Sequence, residues 1–424
     1  MKTRPVYIAG GMRTPFVKSL TDYADITTQE LMTVALQALV SKMRLDGKIL
    51  GDVALGAIIN SPANWNLSRE CILGTTLHAN TPGYTLQRAC GTSLEAVSQI
   101  ALKIANMQMD HGIAGGVDTN SDLPIMLQRT MAQKILKMKT SKNFLRKTLA
   151  IGSMSPSDFK LEFPSVVEPR THLSMGEHCE KMVKEWKISR VDQDELALKS
   201  HQKSDAAYAN GFYDDLVFEF HGIKRDKTIR SDTSMEKLSQ LTPAFDHSNK
   251  GTLTAGNSSP LTDGAAAVFL VSEEAANELN VPMLARFVDA EVAAVDFVHG
   301  EGLLMAPTIA VTRLLQRHHL SLQDFDFYEI HEAFAGQVLC TLKAWESDDY
   351  CRRVLRRTTV LGSIDQRKMN IKGGSVALGH PFAATGARIV ANLAKILQQD
   401  GKGRGLISIC TAGGMGVAAI LEAV

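Results

Sequence analysis

The 424-residue chain has no Cys-x-x-Cys pair, which removes the usual zinc and dithiol spacings from consideration. Its six cysteines (71, 90, 179, 340, 351 and 410) are scattered, so free thiols in a reducing cytoplasm are expected. No apolar run is long enough to span a bilayer. The N-terminus carries no signal-peptide stretch or Arg/Ser-rich leader, and the C-terminal Glu422-Ala423-Val424 carries no peroxisomal or retention tag. Net charge is only +1, so no global field draws the chain to nucleic acid. The run Gly401–Gly405 lacks a following Lys-Ser/Thr or helix and is read as a loop, not a nucleotide cradle.

What is present is the composition of an ordinary soluble protein, 45% hydrophobic and 21% charged, with length for two or three domains. Thr27 and Glu30 form a capping box that opens a helix to about Met43. Strands are expected at Val6–Ala9, Val53–Ile59, Tyr84–Gln87, Gly112–Val117, Gly264–Val271, Ala285–Val292, Phe325–Ile330, Gly405–Cys410 and Gly416–Leu421. Apolar residues at 3.6-residue spacing mark helices at Ser93–Met107, Thr308–His318, Ala333–Trp345 and Thr385–Gln399. This alternation predicts an α/β fold of two similar layered halves. Residues 1–120 with 251–282 form the first half and 283–424 the second.

Between them, 121–250 reads as an inserted loop domain. It is irregular, with Pro156, Pro164 and Pro169, apart from a helix at Val191–Asn210. From Arg129 to Lys147 there are seven Lys/Arg and no acid, interleaved with apolar residues. A solvated surface is the default for such a run. The alternatives are a partner's acidic face and peripheral membrane contact through 126–149.

Three stretches carry chemistry. Cys90 lies between Ala89 and Gly91 where an extended run meets a helix. There, unpaired backbone N–H groups and the helix dipole are expected to favour the nucleophilic thiolate. His380, between Gly379 and Pro381, suits a general base because imidazole titrates near neutrality. Cys410 ends a strand beside Thr411-Ala412-Gly413-Gly414, where the glycines leave backbone amides exposed. No clustered Cys/His spacing indicates a bound metal.

With Tyr328-Glu329-Ile330-His331-Glu332-Ala333-Phe334, Asn370–Ala387 and Thr254–Ala266, these stretches resemble the thiolase family over essentially the whole chain. The resemblance implies two α/β halves stacked in five layers plus a loop domain, assembled as a homodimer or homotetramer. It makes Cys90 the nucleophile, His380 the acceptor of its proton and a contributor to one oxyanion hole, and Cys410 the acid/base. The backbone N–H groups of Cys90 and Ala412, the latter often glycine in the family, would form the second oxyanion hole. His331 stands where many members have an asparagine that holds a water, as it does in β-subunits of fatty-acid-oxidation trifunctional complexes.

For coenzyme A, a substrate and not a permanently bound cofactor, the resemblance implies Ala255 and Ser259 beside the pantetheine and Ala333 and Phe334 along its tunnel. Arg230 would sit at the nucleotide end, and Met175 over the pocket. The implied reaction is thiolytic cleavage of 3-ketoacyl-CoA in fatty-acid β-oxidation, by an enzyme that joins a hydratase/dehydrogenase subunit in the subgroup it resembles. The alternatives are a short-chain acetoacetyl-CoA thiolase running Claisen condensation and an inactive acyl-CoA-binding subunit.

Overall fold

The computed structural model describes residues 3–164 and 166–424. Its strands are β1 (Val6–Arg13), β2 (Val17–Lys18), β3 (Asp52–Gly56), β4 (Gly83–Leu86), β5 (His111–Asp118), β6 (Met126–Leu127), β7 (Leu161–Glu162), β8 (Thr262–Val271), β9 (Ala285–Ala294), β10 (Phe327–Ile330), β11 (Arg404–Thr411) and β12 (Met415–Glu422). The longer helices are α1 (Thr28–Lys42), α2 (Thr92–Ala105), α3 (Arg129–Thr140), α4 (Phe144–Gly152), α5 (Met175–Glu185), α6 (Arg190–Ala209), α7 (Ala306–His318), α8 (Ala335–Glu346) and α9 (Thr385–Asp400).

Ten strands form one sheet whose path runs β10-β11-β12-β9-β1-β8-β5-β3-β4, with β2 on β8. Within it the order β3-β5-β8-β1 repeats as β10-β11-β12-β9. In each set the first pairing is parallel and the next two are antiparallel. The two sets meet at β1 and β9 over a short antiparallel register from Val6 to Ile8.

Side-chain alternation along the strands distributes the core into layers. On β8, buried throughout, Ala265, Ala267 and Phe269 pack outward against α1, while Ala266, Val268 and Leu270 face α2 and α9. On β12, Val417, Ala419 and Leu421 face those same central helices, and Ala418 and Ile420 face the outer layer of α7 and α8. Five layers result, with α2 and α9 in the middle. Burying Leu94, Val97, Ile100 and Ile104 of α2 stabilises this layer by roughly 1.5–3 kcal/mol per side chain.

The central helices touch closely: a Cβ on Gly386 would lie 2.4 Å from the backbone nitrogen of Leu94. Only glycine fits there.

The segment expected to be irregular is more ordered than its prolines indicate. Besides α6 it contains α3, α4 and α5, and β6 pairs with β7. Ser174 and Glu177 close a capping box at the start of α5, a signal outweighed in the sequence by the low hydrophobicity around it. The insert is tied to β1 through Asp226. That carboxylate accepts from Arg13 Nη1 (2.6 Å) and Nη2 (2.7 Å), the Phe16 backbone N–H (2.7 Å) and the Tyr208 hydroxyl (2.9 Å). Among the described residues no helix is long and apolar enough to cross a membrane.

Candidate active site

Cys90 sits two residues before α2, not in its first turn. The turn is tight: Ala89 has φ +44°, a conformation costing an alanine on the order of 1 kcal/mol. Thr92 holds it, its hydroxyl donating to the Ala89 carbonyl (2.6 Å) and accepting from the Arg88 N–H (2.8 Å).

The expectation of a resting thiolate is overturned. Burial pushes the Cys90 thiol up to about 12, and the Asp118 carboxylate adds to the rise. The backbone N–H groups of Ala412 and of Cys90 itself pull it back only partly. Desolvation of the anion outweighs the favourable amides, so Cys90 rests as a neutral thiol.

A base is at hand. One donor atom each from Cys90, His331 and His380 lies within 4.8 Å of the other two, and the two imidazole centroids are 4.2 Å apart. His380 follows Gly379, whose φ of +96° reverses the chain ahead of α9. Its ring is anchored at Nδ1 by the Thr385 hydroxyl (2.6 Å) and its backbone N–H donates to Thr262 Oγ1 (2.8 Å). Nε2 of His380 and Nε2 of His331 are buried and have no hydrogen-bond partner among the described residues. Burial holds the His380 imidazolium down to about 3, helped by the charge of Arg388, and lowers His331 well below the ordinary range for the same reason, with His380 adding to it. Both rings are neutral at rest.

Ser375 lies between Arg388 and His331 and can serve one His331 tautomer as donor. Arg388 Nη2 donates to Ser375 Oγ (2.8 Å). The Ser375 hydroxyl hydrogen can therefore donate to His331 Nδ1, 3.0 Å away, an arrangement that keeps the ring proton on Nε2; the second lone pair of Oγ also allows the reverse. In that tautomer His331 presents a donor to the site, while His380 can present an acceptor once its Nδ1–H is given to Thr385.

Cys410, at the penultimate position of β11, is buried with its thiol pushed well up, by desolvation first and then by Cys90. Its neighbour Ala412 supplies an N–H to Cys90. The Cys90 and Ala412 amides thus both act to lower the Cys90 thiol against its burial.

Sequence reasoning missed the supports. Asp118 accepts from the Ile58 and Ile59 N–H groups (both 2.9 Å) and from Ala383 (2.8 Å), pinning the turn after His380. Burial raises its carboxyl to about 7. Glu332 accepts from Ser200 (2.7 Å), Asn370 (2.6 Å) and the Val376 N–H (3.2 Å), locking the His331 strand end to α6 and the Ser375 turn. Glu168 accepts from the Gly413 N–H (2.7 Å), holding the loop after Cys410. All are acids buried far apart in sequence. Their one-dimensional signal is only an Asp or Glu in an otherwise apolar or glycine-rich stretch.

The residues expected around coenzyme A differ in setting. Ala333 and Phe334 are buried, Phe334 edge-on to Phe245 with centroids 5.7 Å apart. Ser259 donates its backbone N–H to the Ala333 carbonyl (3.0 Å), so these segments adjoin. Met175 is half-buried against the outer layer of the second half. Ala255 and Arg230 are exposed, and the Arg230 backbone N–H donates to His201 Nδ1 (3.1 Å).

Comparison with known proteins agrees with this arrangement. Residues 6–274 match the family "Thiolase, N-terminal domain" and residues 281–423 match "Thiolase, C-terminal domain". The chain is 36% identical over 423 residues to a 3-ketoacyl-CoA thiolase of Yersinia pestis, covering 98% of this chain and 96% of the relative, and equally to one of Yersinia pseudotuberculosis. Among solved structures, Bacillus anthracis acetyl-CoA acetyltransferase superposes with a TM-score of 0.82 at 30% identity, covering 100% of both chains. Human mitochondrial 3-ketoacyl-CoA thiolase does so with a TM-score of 0.81 at 27% identity, again over 100% of both. The five-layered fold, the two-domain match and the thiol with its imidazoles lead to one conclusion: the chain belongs to the thiolase family of acyltransferases.

Proposed function

We propose that the protein is a degradative 3-ketoacyl-CoA thiolase. The observation that carries this reading is the Cys90 thiol within 4.8 Å of a His380 ring nitrogen, on a buried ring whose Nε2 has no hydrogen-bond partner among the described residues; burial favours the neutral form of both groups. Such a pair stores the nucleophile without charge and ionises it as attack begins. The Cys90 proton passes to His380 Nε2 while the sulfur bonds to the 3-keto carbon, and the developing oxyanion meets the backbone N–H groups of Cys90 and Ala412.

The bond between carbons two and three then breaks. Its electron pair goes into the acetyl-CoA enolate, whose oxygen faces the imidazoles, with His331 Nε2–H as donor directly or through water. The Cys410 thiol protonates carbon two, and acetyl-CoA leaves. The Cys410 thiolate then takes the proton of incoming CoA, the CoA sulfur attacks the acyl-cysteine, and Cys90 departs, recovering its proton from His380. No permanently bound cofactor enters this scheme.

Ala333, Phe334 and Ser259 would line the pantetheine tunnel, Ala255 and Met175 its mouth, and Arg230 the nucleotide end, where a free guanidinium suits phosphate and flat rings. Residues 1–120 with 251–282 and residues 283–424 are read as the catalytic halves and 121–250 as the loop domain. A homodimer or homotetramer is the proposed assembly. Exposed Phe144, Leu145 and Leu149 among the lysines and arginines of α3 and α4 support peripheral membrane contact through 126–149 or docking to a hydratase/dehydrogenase subunit. Two free thiols at the catalytic centre suit a reducing compartment such as the cytoplasm.

The test is incubation with 3-ketoacyl-CoAs of graded chain length and CoA. Thiolysis should proceed, and without CoA one acyl group should add to the Cys90 peptide. An unmodified peptide would sink the mechanism. Turnover restricted to acetoacetyl-CoA would point to the short-chain alternative instead.

A further inference from the structure

We propose that Cys90, His331 and His380 together form an inhibitory binding site for a zinc-class divalent cation, which shuts the enzyme by occupying the nucleophile. This rests on the functional reading above and adds a regulatory ligand to that same site. The observations are geometric. Three donor atoms of kinds zinc favours, one sulfur and two imidazole nitrogens, lie within 4.8 Å of one another. A tetrahedral zinc with ordinary Zn–S and Zn–N bonds holds such donors about 3.5 Å apart, so small side-chain rotations complete the triad.

Both nitrogens are available. Nε2 of His331 and Nε2 of His380 are buried without partners among the described residues, while each ring is oriented at Nδ1 by a hydroxyl, Ser375 or Thr385. A hydrogen bond behind the ligating nitrogen is how protein metal sites fix their imidazoles.

His331 decides the matter. Two donors, a thiol and one imidazole, make a weak site. An asparagine at this position would add only an amide, whereas a second imidazole supplies a third strong ligand. On binding, Cys90 releases its thiol proton to solvent and bonds through the thiolate. The His331 ring proton moves to Nδ1, where Ser375 Oγ has a lone pair to accept it. The fourth position is left for water. Cys90 retains slight exposure, 9%, through which the cation enters.

The experiment uses the whole purified protein, stripped with a chelator, and Co²⁺ and Zn²⁺ as probes. Co²⁺ should bind once per chain and produce a thiolate-to-metal charge-transfer band, and Zn²⁺ should displace it. Zn²⁺ should also protect Cys90 from iodoacetamide until chelator is added, and should abolish thiolysis reversibly. His331→Asn should weaken the metal at least about tenfold in a chromophoric-chelator competition, since even outer-shell losses reach that size.

No charge-transfer band in the unmodified chain, or alkylation of Cys90 at the same rate with and without zinc, would overturn the proposal. So would undiminished zinc affinity in a folded His331→Asn protein. The two readings separate cleanly. A stripped enzyme that cleaves 3-ketoacyl-CoA and is not slowed by saturating zinc defeats the metal site alone. A stripped enzyme that forms the cobalt band yet never cleaves substrate defeats the thiolase reading and leaves the site standing.

Discussion

The two halves share strand order and direction but place different chemistry at equivalent points. In the first, the loop entering central helix α2 carries Cys90; in the second, the loop entering α9 carries His380. The penultimate residue of β5 is Val117, and that of the corresponding β11 is Cys410. Where β4 lies parallel to β3, the second half keeps only a single bridge from Met369 to Tyr328. The loops differ most. Residues 119–261 join β5 to β8, while 412–414 suffice to join β11 to β12. A repeated scaffold thus brings two unlike loops face to face across its middle layer, and neither half is complete alone. The first half positions His380 of the second: Thr262 Oγ1 accepts from the His380 N–H and Asp118 accepts from the Ala383 N–H.

The largest way to break this comparison is to delete the first half's contribution. Cys90→Ala should lower turnover at least about 10⁴-fold with an unchanged melting temperature. Removing the second half's base by His380→Ala should cost about 10²–10⁴-fold, and pre-steady-state acylation should slow with it. If either variant turns over at the parental rate, the division of labour between the halves is wrong.

Next comes the insert's attachment. Asp226→Ala leaves Arg13 buried without its carboxylate (side-chain exposures 3% and 0%) and should destabilise the fold by about 3–5 kcal/mol, read by urea unfolding.

Acid exposes a further difference. Burial, helped by the Arg230 charge, lowers His201 to about 4, and burial lowers His380 to about 3. The unfolded chain protonates these rings first, so their contribution is full above about pH 6.5 and is lost as pH falls toward those values. Asp118, raised to about 7, and Glu329, raised to about 8, work in the opposite direction. The reading is therefore variant minus wild type. His201→Asn should flatten the stability slope between pH 6.5 and 4.5 by at most about 1.4 kcal/mol per pH unit, and an unchanged slope would contradict it.

His331→Asn, which keeps a donor, should reduce kcat within about tenfold, less than loss of an oxyanion donor outright. The smallest stability effect is expected outside both halves. Phe144→Ser with Leu149→Ser, at side chains 79% and 65% exposed, should change stability by less than about 0.5 kcal/mol. The same pair should abolish binding to anionic vesicles if the hairpin meets a membrane, and unaltered vesicle binding would remove that role.

The strand and helix pattern was legible because both halves obey simple periods. The apolar face of α2 and the Thr27–Glu30 capping box appear as read. The ends of the expected elements move by a residue or a few, and the short helices Leu67–Leu73, Glu273–Leu279 and Asp348–Arg353 were not read at all. The order within 121–250 was not legible, because α3, α4 and α5 are short and rich in charge, and the apolar Phe144, Leu145 and Leu149 of α4 stay exposed where a core-facing stripe would bury them.

By itself the sequence determined the layered α/β plan and singled out Cys90, His380 and Cys410 as the candidates for chemistry, since periodicity and residue chemistry are local properties. Tertiary structure alone decided their state. Desolvation depends on everything packed around a group, and it turned the expected thiolate into a thiol and kept both imidazoles neutral. It also chose which buried acids hold the loops, because Asp118, Glu168 and Glu332 act on backbone far away in the chain.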